Sequence, residues 1–125
     1  MRKSSLPLFA MILICLMWLL NYIAGTFYLY WTTSWFDMPV HLLAGTALSV
    51  IVIWLLKFDK SLNAFVKVFI LVVVIGISWE IFEYMIGQTF ALEGHALDTV
   101  TDLLMDAIGA TLGYFLTIER SRESF

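Results

Sequence analysis

Asp98, Asp102 and Asp106 recur at four-residue intervals, and Gly109 and Gly113 continue in nearly the same register. On an α-helix, residues three or four apart share a face, so residues 98–113 present one stripe of three carboxylates followed by two glycines. Glu80 and Glu83 stand three apart, and Asp37 and His41 four apart, again on common faces. Carboxylate oxygens joined by one imidazole suit a divalent cation such as Mg²⁺, Mn²⁺, Fe²⁺ or Zn²⁺, with Ca²⁺ also accommodated. The expected ligands are His41, Glu80, Asp102 and Asp106. Glu83 is then the general base for a cation-bound water. Asp37 and Asp98 are further candidates, although both also suit helix N-caps. Glu93 and His95 read as solvent-exposed residues of a loop.

The elements that carry these residues are apolar. Of 125 residues, 62% are hydrophobic, and the mean hydropathy is +0.92. This is too apolar for an ordinary soluble domain and fits one integral membrane domain over residues 1–125. The pattern predicts an all-α, four-helix transmembrane bundle, with helices over about 8–30, 38–56, 62–86 and 98–118. A basic start before an apolar run can be a secretory signal, but residues 8–30 are too long for one and read as a retained first helix. Cys15 is the one cysteine, inside an apolar run, which sets aside disulfide and thiolate–metal chemistry.

Charge gives the orientation. With four spans, Arg2, Lys3, Lys57, Lys60, Lys67, Arg120 and Arg122 all fall on the side of the N-terminus. The positive-inside rule makes that side cytoplasmic, with both termini in. Asp37, His41, Glu80, Glu83, Glu93, Asp98, Asp102 and Asp106 fall in the opposite half, with no lysine or arginine among them. At 1.5 Å per residue, Asp106 lies roughly 12 Å below Asp98 along its helix. A carboxylate facing lipid at a helix centre costs roughly 2.5–3.5 kcal/mol on insertion scales, so these groups should face inward. Brought together there, they repel unless a cation or shared protons neutralise them. A hydrogen-bonded network that only joins the helices is the simpler alternative.

Glycines supply the close contacts. Gly109-x-x-x-Gly113 reads as a helix-packing face, with Gly45 and Gly76 as matching small surfaces on the second and third helices. Tryptophans 31, 35 and 79 fall near the outer boundary, where amphipathic rings anchor. No basic patch or glycine-rich phosphate loop is present, so nucleic-acid binding is not expected.

Three stretches together resemble a known group. They are Trp35-Phe-Asp37-Met-Pro-Val-His41-Leu-Leu-Ala-Gly45, Trp79-Glu80-x-x-Glu83, and Asp98-Thr-x-x-Asp102-Leu-x-x-Asp106-x-x-Gly109-Ala-x-x-Gly113. The pattern resembles the small bacterial membrane proteins of the VanZ-like and YjdF-like group over roughly residues 35–114. Such proteins often carry Asn where this chain has Asp106, and VanZ-like members often have a basic residue near the glutamate helix that is missing here. The resemblance implies a multi-pass protein of the bacterial inner membrane, with relatives linked to glycopeptide resistance. It implies no particular reaction.

The leading expectation is therefore a divalent-cation site open to the outer leaflet that hydrolyses or binds a membrane lipid or lipid-linked substrate. Two other readings use the same residues: a non-enzymatic proton, cation or small-molecule carrier, and a structural accessory subunit with a polar core. Whether the chain is an enzyme, and whether it forms a homo-oligomer, stays open at this point.

Overall fold

The computed structural model describes residues 5–57, 62–87 and 94–122, and all its regular structure is helical. The elements are α1 (Leu6–Thr26), α2 (Leu29–Thr32), α3 (Asp37–Leu56), α4 (Leu62–Ile86) and α5 (His95–Arg122). Helices α1, α3 and α4 are each long and apolar enough to cross a membrane. Helix α5 is longer, but its first half carries Asp98, Asp102 and Asp106.

Several boundaries differ from the sequence expectation. The first apolar run does not continue to residue 30. Tyr28 takes a left-handed conformation at φ 56°, which ends the helical path and sets off the short α2. Asp37 is the first residue of α3 rather than its cap; Phe36 precedes it and no side chain caps the helix. Pro39 fits because amides in a first helical turn have no intrahelical acceptor. Helix α5 opens at His95, so His95 is helical, and Asp98 sits in the first turn instead of at the N-cap. A carboxylate there still complements the helix dipole. At the other end, Glu119 to Arg122 extend α5 past residue 118, as residues of good helix propensity do beyond an apolar core. Glu93, Lys60, Arg2 and Lys3 lie outside the described residues.

Helix α3 is the centre of the packing. On one side Leu6, Ala10 and Leu13 of α1 meet Ala47 and Val50. On the other, Val52 and Ile53 join Ala64, Val68 and Val72 of α4 with Ala110 and Tyr114 of α5. Phe65 closes that end of the α4–α5 seam edge-on to Tyr114, with ring centroids 5.2 Å apart.

Helices α3 and α5 run parallel and nearly touch. A Cβ on Gly45 would collide with the Asp106 carbonyl, and one on Gly109 with the Leu42 carbonyl and the Thr46 nitrogen. A Cβ on Gly113 would lie 2.5 Å from the Thr46 oxygen. Helix α4 runs antiparallel to both, with Phe65 at Tyr114 and Gly76 at Asp106. In lipid, helices gain little from burying apolar surface against each other, so van der Waals fit of this kind holds them together. The parallel register brings the N-terminal ends of α3 and α5 to the C-terminal end of α4. All the candidate site residues within the described structure are at that end.

Candidate metal centre

His41 is the hub of the polar end. It lies one turn into α3 and is 6% exposed. Its Nδ1 is 3.2 Å from Asp106 Oδ1, a buried contact between α3 and α5. Its Nε2 faces two other carboxylates, Asp37 Oδ2 at 3.7 Å and Asp102 Oδ2 at 3.6 Å. The two ring nitrogens therefore have different surroundings. An imidazole that donates Nδ1–H to Asp106 presents the Nε2 lone pair to Asp37 and Asp102.

Asp37, His41 and Asp102 each offer one donor atom, all within 4.8 Å of one another, and the group could hold a metal ion. Donors about 2.0–2.2 Å from one tetrahedral cation stand roughly 3.3–3.6 Å apart, close to the spacing around Nε2. A carboxylate that orients a ligating histidine through its other nitrogen is a common companion of such sites. Asp106 occupies that position relative to His41.

Asp102 is the most enclosed of these acids. It is 1% exposed, and neither carboxylate oxygen has a hydrogen-bond partner. Buried threonines elsewhere are satisfied locally: Thr46 donates to the Leu42 carbonyl at 2.7 Å, and Thr117 to the Gly113 carbonyl at 2.7 Å. A carboxylate has no proton to donate to such carbonyls. Left ionised in an apolar bundle with only His41 Nε2 at 3.6 Å beside it, it carries a desolvation cost that a proton, a protonated His41 or a bound cation offsets.

The expected site residues separate into three groups. His41, Asp102 and Asp106 stand together, with Asp106 at Nδ1 rather than on the Nε2 side of the ring. Asp37 joins the nitrogen–oxygen cluster on Nε2, having been only an additional candidate in sequence. Glu80, 6% exposed, belongs to the α4–α5 seam beside Thr99 and is not part of the Asp37–His41–Asp102 group. Glu83 is half-buried one turn further on, within electrostatic reach of Glu80, Asp37 and His41.

Gly76 makes room for Asp106, since a Cβ there would stand 2.6 Å from Asp106 Oδ2. Two residues were not singled out from sequence. Thr99 shares a face with Asp102 at i,i+3, a spacing that could have identified it. Tyr30 of α2 donates its hydroxyl hydrogen to Asn21 Oδ1 of α1 and lies within electrostatic reach of Asp37 and Glu83. No periodicity marks a tyrosine in so short a helix.

No curated protein and no solved structure matches this chain. A family model of predicted membrane proteins, DUF2238, matches residues 1–122, and with its apolar helices around a buried acid–histidine group the chain belongs to that family of predicted membrane proteins.

Proposed function

We propose that the chain is a four-span protein of the bacterial inner membrane, with α5 as the fourth span, both termini cytoplasmic and the acidic end facing outward. There it holds a divalent cation through His41 Nε2, Asp37 and Asp102, with Asp106 orienting the imidazole. The bound ion serves a membrane lipid or lipid-linked substrate. Support for the orientation comes from the basic residues, all of which the four-span arrangement places at the other end. Membership of a family of predicted membrane proteins supports the membrane setting.

The observation that carries the cation is Asp102: fully buried, with neither oxygen hydrogen-bonded and one of them 3.6 Å from His41 Nε2. A divalent ion held there supplies Lewis acidity at the membrane boundary. Glu83, within electrostatic reach of Asp37 and His41, would accept a proton beside it. An ion held by Asp37 and Asp102 would tie the first turn of α3 to the second turn of α5.

Calorimetry on the purified chain with Mn²⁺, Zn²⁺, Mg²⁺ and Ca²⁺, together with metal content after purification, tests this reading. Saturable binding that Asp102→Asn weakens is the expected result. Absence of binding by all four ions leaves a polar-cored bundle in which protons are shared. Cation or proton flux into proteoliposomes would instead mark a carrier.

A further inference from the structure

Buried oxygens without a partner are few among the described residues, and they are not scattered. They are Ser49 Oγ, Glu80 Oε1, Thr99 Oγ1 and the two oxygens of Asp102. All but Ser49 belong to the seam between α4 and α5 at the polar end. Thr99 and Asp102 share one face of α5, and Glu80 approaches it from α4 with Thr99 as its neighbour. Glu80 and Asp102 lie within electrostatic reach of each other. Asp102 Oδ2 faces His41, which leaves Oδ1 without a protein partner.

We propose that Glu80, Thr99 and Asp102 form a second cation site in the α4–α5 seam, with Asp102 bridging it to the His41 site. This inference rests on the reading of the first site. The donor set contains only oxygens: two carboxylates and a hydroxyl. That chemistry selects a hard ion, Mg²⁺, Mn²⁺ or Ca²⁺, whereas the imidazole of the first site also admits Zn²⁺. Two-metal centres hold their ions roughly 3.5–4 Å apart and clamp the oxygens of a transferring group between them.

The second ion changes what the site can bind. With one divalent ion, the carboxylates Asp37, Asp102, Asp106 and Glu80 leave the centre net negative, and an oxyanion is repelled. With two, the same four carboxylates are balanced, and the net negative charge that repels an oxyanion is gone. The centre then takes a phosphate ester or another oxyanion of a lipid headgroup without help from Lys or Arg, neither of which the sequence places in that half.

Mn²⁺ is the probe, because it suits both donor sets and reports by electron paramagnetic resonance. Purified full-length chain in nanodiscs should bind two Mn²⁺ per chain and show an exchange-coupled spectrum. Glu80→Gln and the near-isosteric Thr99→Val should each lose the coupled signal, and Glu80→Gln should fall to one Mn²⁺. Thermal melts of both variants confirm that they remain folded. One Mn²⁺ in the parent, or two in both parent and Glu80→Gln, overturns the second site and leaves the first standing. No Mn²⁺ in the parent overturns both.

Discussion

Gly76 of α4 lies directly against the Asp106 carboxylate of α5: a Cβ added to the glycine would stand 2.6 Å from Oδ2. The same side chain meets His41 of α3 through Oδ1. Asp106 thus fills the junction of three helices, and it fits because one of them has no side chain there. Gly76→Ala should force the carboxylate off its contact with His41. Overpacking of this kind costs about 1–3 kcal/mol. Gly25, with nothing within 4 Å of its own added Cβ, is the control. Gly25→Ala should hold or raise the melting temperature while Gly76→Ala lowers it, as read by a thermal melt in detergent.

The α3–α5 contact is less forgiving, because backbone meets backbone. A Cβ at Gly109 collides with the Leu42 carbonyl and the Thr46 nitrogen, neither of which can swing away. Gly109→Leu and Gly113→Leu should therefore lower the melting temperature far more than Gly25→Leu. Equal tolerance at all three positions would show that the helices associate loosely.

Much of this was legible in the sequence because it is periodic. The four-residue spacing of Asp98, Asp102, Asp106, Gly109 and Gly113 gave the inward face of α5, and Asp102, Asp106 and the two glycines do meet its neighbours. Residues 62–86 were found as one helix because their apolar run ends at clear breaks. The division of labour among the acids was not legible. Helical spacing puts Asp37, Asp102 and Asp106 in the same half of the membrane, but only the rotation of α3 against α5 decides which ring nitrogen each carboxylate meets. Glu80 looked equivalent to Asp106 by depth alone, yet it comes from the antiparallel helix and stands beside Thr99 rather than at His41. The break at Tyr28 was invisible because left-handed backbone at a tyrosine has no compositional signal.

Orientation has a direct chemical test. Glu93→Cys, in a chain whose own Cys15 is replaced by Ser, should react with a membrane-impermeant thiol reagent in intact cells. Reaction only after the membrane is opened would turn the acidic end toward the cytoplasm. Cys15 must be removed because its side chain is exposed on α1, within a candidate span.

Acid should release the ion. Ligating carboxylates and imidazole must be deprotonated, so protons compete with the cation, and apparent affinity weakens as pH falls. The stabilisation that the ion confers follows RT ln(1 + [L]/Kd), about 2.7 kcal/mol at a hundredfold excess over Kd. Melts with and without Mn²⁺ should diverge most at neutral pH and converge in acid. A gap that does not depend on pH would mean that the ion stabilises the bundle from somewhere other than these side chains.

The roles assigned to Asp102 and Asp106 can be separated, because the two carboxylates meet opposite nitrogens of one ring. Asp102→Asn removes a charged ligand from the Nε2 side and nearly preserves shape, so cation affinity and the cation-dependent part of the melting temperature should fall together. If protons rather than a cation neutralise the cluster, the same change relieves repulsion, and stability should hold or rise. Asp106→Asn keeps an oxygen that can still accept the Nδ1–H bond and loses only the charge behind it. Its effect should be graded: about 10–100-fold weaker affinity at unchanged stoichiometry, the usual consequence of altering a group that orients a ligand. Isothermal titration of both variants with Mn²⁺ measures the difference. Should Asp106→Asn abolish binding at the His41 centre while Asp102→Asn leaves it intact, the ion sits on the Nδ1 side of the ring, and the tautomer inferred from the geometry is the wrong one.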